Sequence, residues 1–271
     1  MKEQQSIPVG AEATIMIRSG GDLRVLAHAE PVVVALSREP FSLSAPAPNT
    51  AEVNGEGDLE VRVPDDARVT ISACGGDGRI RDLTGAVRVE QCGGDLGLRQ
   101  LGAVTVGNVG GDVRVRGLTG PLSIGNTGGD VSLSLAFLPG TEYTVSAGGD
   151  IRCNLVTGTS ATITAHCGGD ISVNARDVRS VDRGAEHLIL VGEGDGLVTL
   201  NAGGDVVIRD ADAESDSIDD LAGSIEALVS RQLSGGMRHV TAVLEKSGLT
   251  IQRSLEEASR KVAEAERRAE A

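Results

Sequence analysis

The sequence predicts an all-β fold: a parallel β-solenoid of about nine coils with a period of 18–20 residues, followed by a C-terminal α-helical segment. Three observations predict it. Gly-Gly-Asp recurs along most of the chain, with its Asp at Asp22, Asp77, Asp95, Asp112, Asp130, Asp150, Asp170 and Asp205. Two short runs of alternating apolar and polar residues lie between successive marks. The composition is that of a core without aromatics: 40% apolar residues, yet Trp 0, Tyr 1 and Phe 2, with Gly at 37 of 271. Val, Ile, Leu and Ala must fill that core, and glycine stands at about twice its usual ~7%.

The repeat sets the domain organisation. Gly-Glu-Gly-Asp adds Asp58 to the series, and the steps from there run 19, 18, 17, 18, 20, 20 and 35. The step from Asp22 to Asp58 is 36, which reads as twice 18. One long excursion is therefore expected near each end. The same four residues recur at 192–195, half a period before Asp205, so this string alone does not fix the phase.

Residues 1–210 are expected to form the solenoid. After each Asp, the first and third positions are apolar: Leu23 and Val25, Val113 and Val115, Val131 and Leu133, Ile151 and Cys153, Ile171 and Val173. Half a period on come Val87 and Val89, Val104 and Val106, Leu122 and Ile124, Tyr143 and Val145, Ile163 and Ala165. Alternation over so few residues predicts strands with one buried face. A single unit cannot bury that face; stacked units can. With rungs ~4.8 Å apart, nine coils make a rod on the order of 45 Å long.

Gly75, Gly76, Gly93, Gly94, Gly110, Gly111, Gly128, Gly129, Gly148, Gly149, Gly168 and Gly169 are read as structural corners. They are expected to supply backbone angles that a Cβ forbids, while the Asp accepts hydrogen bonds from turn N–H groups. The residues preceding the motif (Ser19, Gly55, Cys74, Cys92, Val109, Thr127, Ala147, Cys167, Ala202) are small or medium, as an inward stack requires. Residues 26–54 carry four prolines and read as an irregular N-terminal coil with a loop covering the first rung. Residues 175–194 read as an insertion before the last coil.

Residues 211–271 are of another kind. Ile218, Leu221, Ile225, Leu228 and Leu233 fall near one helical face, and Gly235 and Gly236 end it. Beyond them, apolar and small residues recur at steps of 3 and 4, with Leu244, Ile251, Leu255 and Val262 on the seam of a coiled coil. A helical cap and an oligomerisation coil both satisfy that stripe.

The stretch LEVRVPDDARVTISACGGDGRIRDLTGAVRVEQCGGD, with its Gly-Asp-hydrophobic unit, resembles a bacterial β-solenoid family of unknown function whose members are provisionally named adhesins. The likeness spans roughly residues 10–210. It implies the architecture; its motif implies no activity. Bactofilins are similar in shape only.

Charge and composition exclude several functions. A net charge of -14 disfavours nucleic acid, and the scarcity of aromatics removes stacking platforms for bases. No apolar run approaches the ~18 residues of a membrane helix, and no signal peptide is expected. Four Cys without a disulfide framework suggest a reducing, cytoplasmic setting. No nucleophile motif, phosphate loop or His ligand spacing is present, so no enzyme and no cofactor are expected. In-register Asp77, Asp95, Asp112, Asp130, Asp150 and Asp170 would repel by about 3 kcal/mol per pair at an effective dielectric of ~20. Turn N–H groups, nearby Arg, raised pKa values or a bound divalent cation must relieve this. Arg24, Arg79, Arg114 and Arg152 form an outward stripe, interrupted by Glu60, Gly97, Ser132 and Ser172. The expected function is a non-catalytic scaffold, a homo-oligomer or protein-binding rod joined by its tail or its ends. The alternative is a ligand- or metal-binding module using the Asp ladder or the Arg stripe.

Overall fold

The computed structural model describes residues 3–156, 158–176, 178–182 and 187–211. The helical segment and its seam at Leu244, Ile251, Leu255 and Val262 lie outside the described residues. The chain divides into two units, Met1–Ala211 and Asp212–Ala271, and the first is the subject here.

The alternating runs become strands because β-branched and aliphatic side chains pack well on a half-buried pleated surface. In chain order they begin with β1 (Glu3–Pro8), β2 (Thr14–Ser19), β3 (Leu23–His28), β4 (Val32–Ser37), β5 (Phe41–Ala47), β6 (Thr50–Gly55) and β7 (Leu59–Pro64). There follow β8 (Arg68–Cys74), β9 (Gly78–Leu83), β10 (Val87–Cys92), β11 (Leu96–Leu101), β12 (Val104–Val109), β13 (Val113–Leu118), β14 (Leu122–Thr127) and β15 (Val131–Leu135). The last are β16 (Glu142–Ala147), β17 (Ile151–Leu155), β18 (Ala161–Cys167), β19 (Ile171–Asn174), β20 (Val178–Asp182), β21 (His187–Val191), β22 (Gly196–Ala202) and β23 (Val206–Asp210).

These strands make two long, parallel-rich sheets, and the described residues contain no helix. One runs β1-β4-β7-β3-β9-β11-β13-β15-β17-β23-β19; the other runs β20-β21-β18-β22-β16-β14-β12-β10-β8-β2-β6-β5. From β8 to β17 the chain alternates between the sheets, and each strand pairs in parallel with the one two places on. Equivalent residues of successive rungs therefore stack. Ile80, Leu98, Val115, Leu133 and Cys153 form one inward column; Ile71, Val89, Val106, Ile124 and Val145 face them from the other sheet. All ten are buried, and each such side chain contributes ~1.5–3 kcal/mol.

The stack order corrects one expectation. The 36-residue step is not two coil periods in sequence. β2 and β3 lie between β6–β7 and β8–β9, and β22 and β23 lie between β16–β17 and β18–β19. In space the rungs follow Asp58, Asp22, Asp77, Asp95, Asp112, Asp130, Asp150, Asp205 and Asp170. The chain steps past a place in the stack and fills it from the other side, once near each end. The excursions between those steps form the edges. β4 and β1 add antiparallel strands outside β7, and β5 adds one outside β6. β21 and β20 do the same outside β18. Among the described residues, three of the four sheet ends thus finish in antiparallel strands, and the fourth finishes in the parallel strand β19.

The aromatic pair sits where the repeat lengthens to 20 residues, between Asp130 and Asp150. Phe137 and Tyr143 are fully buried, with ring centroids 4.9 Å apart and planes at 70°. The Tyr143 hydroxyl accepts the Leu138 N–H at 3.1 Å, which satisfies its polar tip.

Candidate functional site

The Gly-Gly-Asp motif does stack at one corner, and the residues before it do face inward: Ser19, Cys74, Cys92, Val109, Thr127, Ala147 and Ala202 are buried. The glycines serve another purpose than expected, however. Among the described residues, the glycines at positive φ are Gly117, Gly140, Gly158, Gly192 and Gly194, none of them in the motif. Space, not conformation, requires glycine at the corner. A Cβ on Gly111 would overlap the Asp95 carboxylate and the Gly94 backbone, and one on Gly110 would overlap the Gly93 carbonyl. The same holds from rung to rung at Gly75, Gly76, Gly93, Gly94, Gly128, Gly129, Gly148, Gly149, Gly168 and Gly169.

What the space admits is a continuous ladder. Each Asp carboxylate accepts the backbone N–H of the Asp in the next rung. Asp58 receives Asp22 at 2.9 Å, Asp22 receives Asp77 at 2.9 Å, and Asp77 receives Asp95 at 2.9 Å. Asp95 receives Asp112 at 2.9 Å, Asp112 receives Asp130 at 3.0 Å, and Asp130 receives Asp150 at 2.9 Å. Asp150 receives Asp205 and Asp205 receives Asp170, both at 2.9 Å. The hydrogen bonds run between rungs rather than within the turn. At the first rung, Glu39 plays the missing Asp and accepts the Asp58 N–H at 3.1 Å.

Arginines take the second carboxylate oxygen at two places. Arg114 reaches Oδ2 of Asp95 at 3.7 Å and of Asp112 at 3.5 Å. Arg152 reaches Oδ2 of Asp130 at 2.8 Å and of Asp150 at 3.0 Å. Each bridges two rungs, so N–H donors and guanidinium groups together offset the repulsion along the ladder. The Asp130 carboxyl is held below the ordinary carboxylate range, first by the Asp150 N–H and then by Arg152. Oδ1 of every Asp from Asp58 to Asp205 in the stack is already occupied. Among the described residues, no three His, Cys, Asp or Glu side chains are grouped so that they could hold a metal ion.

Cys74 and Cys92 are in register and buried, and all four cysteines are free thiols. The Cys74 thiol is pushed well up, first by its hydrogen bond to Cys92 and then by burial. Burial pushes Cys153 up to about 12. Cys74 and Cys153 are core thiols, not thiolate nucleophiles. His28 closes the turn after β3, with Nδ1 accepting from Glu30 at 3.2 Å and Nε2 against the Val32 carbonyl at 2.7 Å.

A feature missed in the sequence lies on the outer face between β3 and β13. Gly97 interrupts the Arg stripe and opens a bowl of about 310 Å³, ringed by Arg24, Arg79, Arg81, Arg99, Arg114 and Arg116. A second Arg column, Arg81-Arg99-Arg116, stands in register beside the first. Its signal was an Arg two residues after stripe positions 79, 97 and 114, visible only once the strands are aligned.

A crystal structure of a protein from Clostridium sporogenes, provisionally named a cell adhesion protein, is similar to this chain at 13% sequence identity. The match has a TM-score of 0.36 and covers 78% of this chain and 99% of that one. No protein-family model and no curated protein matches the sequence.

Proposed function

We propose that this protein is a non-catalytic, cytoplasmic β-solenoid scaffold whose copies join at the end of the stack marked by β19. The observation that carries the reading is the fourth sheet end. In every earlier rung, the residue after the Asp donates its N–H to the Asp carbonyl of the next rung, from Leu59 to Asp22 at 2.8 Å through Val206 to Asp170 at 3.0 Å. Among the described residues, Ile171 stands in that donor position with no further Asp, and the Asp170 carboxylate has no next N–H to accept. Ile171 and Val173 are only partly buried there. Such an edge templates pairing with another chain. Buried free thiols are in keeping with a reducing compartment.

Light scattering over a concentration series tests the reading, using the full chain and a truncation ending at Asp212. End joining predicts that both associate. A truncation that is monomeric at all concentrations, beside an associating full chain, assigns assembly to the tail and rejects the β19 joint. A divalent-metal module has less support, because the ladder oxygens already hold backbone N–H groups.

A further inference from the structure

The bowl at Gly97 is a place where the chain departs from its own rules. Most corner glycines are there because a neighbouring atom leaves no room. Gly97 is not: a Cβ at this position would meet only the Gly78 carbonyl oxygen at 3.8 Å and Arg79 Cγ at 3.9 Å, and φ is not positive. Glycine in mid-strand weakens a sheet and often marks a close approach by another group. Its missing side chain forms the floor of the bowl.

The walls are as unusual. The chain carries a net charge of -14, yet six arginines surround this floor, against Asp77 and Asp95. Asp77 uses Oδ1 on the Asp95 N–H, and Asp95 uses Oδ1 on the Asp112 N–H and Oδ2 on Arg114. Register stacks Arg81 on Arg99 and Arg99 on Arg116 in three consecutive rungs, and Arg24 on Arg79. Arg79 and Arg114 stand in register with Gly97 in the rungs on either side, and both line the bowl.

We infer that this bowl binds a compact, multiply charged phosphate group. Guanidinium forks match phosphate oxygens bidentately, and several forks around one recess favour more than one phosphoryl group. No aromatic residue lines the bowl, so recognition is of the phosphate and not of an attached base. The inference is independent of whether copies join at β19.

The test is calorimetric titration of the full chain with inorganic pyrophosphate at constant ionic strength. Saturable binding is expected, weakened at least tenfold in Arg79→Ala/Arg99→Ala. Gly97→Val fills the floor and suits a strand, so it is expected to remove binding while leaving the melting temperature unchanged or higher. Phosphatidylcholine vesicles with and without phosphatidic acid separate the sources. Pyrophosphate binding with vesicle capture selective for phosphatidic acid identifies a lipid headgroup; pyrophosphate binding alone identifies a free phosphate compound. Absence of pyrophosphate binding, or binding undiminished in Gly97→Val, overturns the proposal.

Discussion

The two ends of the stack are built from the same repeat and finish differently. At the Asp58 end, β4 and β5 close both sheets with antiparallel strands, and Glu39 accepts the N–H that no preceding Asp is there to take. At the Asp170 end, β21 and β20 close one sheet and β19 leaves the other on a parallel strand. A closed end needs residues outside the repeat; an open end is simply where the repeat stops. The difference also explains the variant motif. Glu56 stands where every other rung has glycine. Outside the first rung the chain runs antiparallel, and the Pro40 carbonyl accepts the Glu56 N–H at 3.4 Å; in the next rung Gly20 faces the Glu56 carbonyl, where a Cβ would overlap it.

The largest expected effect separates the middle from the closed end. Gly111→Ala drives a Cβ into the Asp95 carboxylate and the Gly94 backbone, and should cost about 3 kcal/mol or more of unfolding free energy. Gly57→Ala meets only the flexible Glu39 side chain and should cost about 1 kcal/mol. Equal losses in urea denaturation would contradict the spatial order of the rungs.

Next is the ladder itself. Asp112→Ala leaves the part-buried Asp130 N–H without its acceptor and should cost about 1–3 kcal/mol. Asp112→Asn keeps an oxygen in place and should cost less. Asp170→Ala removes a carboxylate that receives no N–H among the described residues, so a monomer should lose no more than about 0.5 kcal/mol. A loss at Asp170 as large as at Asp112 would mean that its carboxylate is engaged after all.

Acid sharpens the same contrast. The folded state holds the Asp130 carboxyl below its unfolded value of about 3.9. Its stabilisation is therefore full above that value and is lost as pH falls through the lowered one. Melting temperatures below about pH 4 should fall less steeply in Asp130→Asn than in the unaltered chain. The smallest effect is expected for Glu39→Gln, which keeps the cap on Asp58 and should change the melting temperature little.

How much of this was legible in the sequence follows from what the signals depend on. Alternation at Val87, Val89, Val104 and Val106 shows which face is buried, because period two is a local property of a strand. The sixth-position residues Leu83, Leu101 and Leu118 escaped notice. They turn inward only because Asp82, Gln100 and Gly117, at positive φ, let two outward residues follow one another. The glycines of the motif are credited with backbone freedom in the sequence reading, whereas they provide clearance between rungs, which no single repeat reveals. Gly-Glu-Gly-Asp illustrates the limit. At 55–58 it opens the stack, while at 192–195 it is a turn with Gly192 and Gly194 at positive φ. The order of rungs, and with it the difference between the ends, depends on pairings across 55 residues, such as Asp77 with Asp22 and Asp205 with Asp150.

The joint at β19 is tested most directly by Val173→Pro in the full chain. By the register, the Val173 N–H points away from β23, so proline leaves the existing pairing intact and removes a donor from the open edge. Light scattering should show concentration-dependent association of the unaltered chain and a monomer for the variant, with closely similar melting temperatures. The same mass distribution for both proteins would contradict the account and place the joint elsewhere.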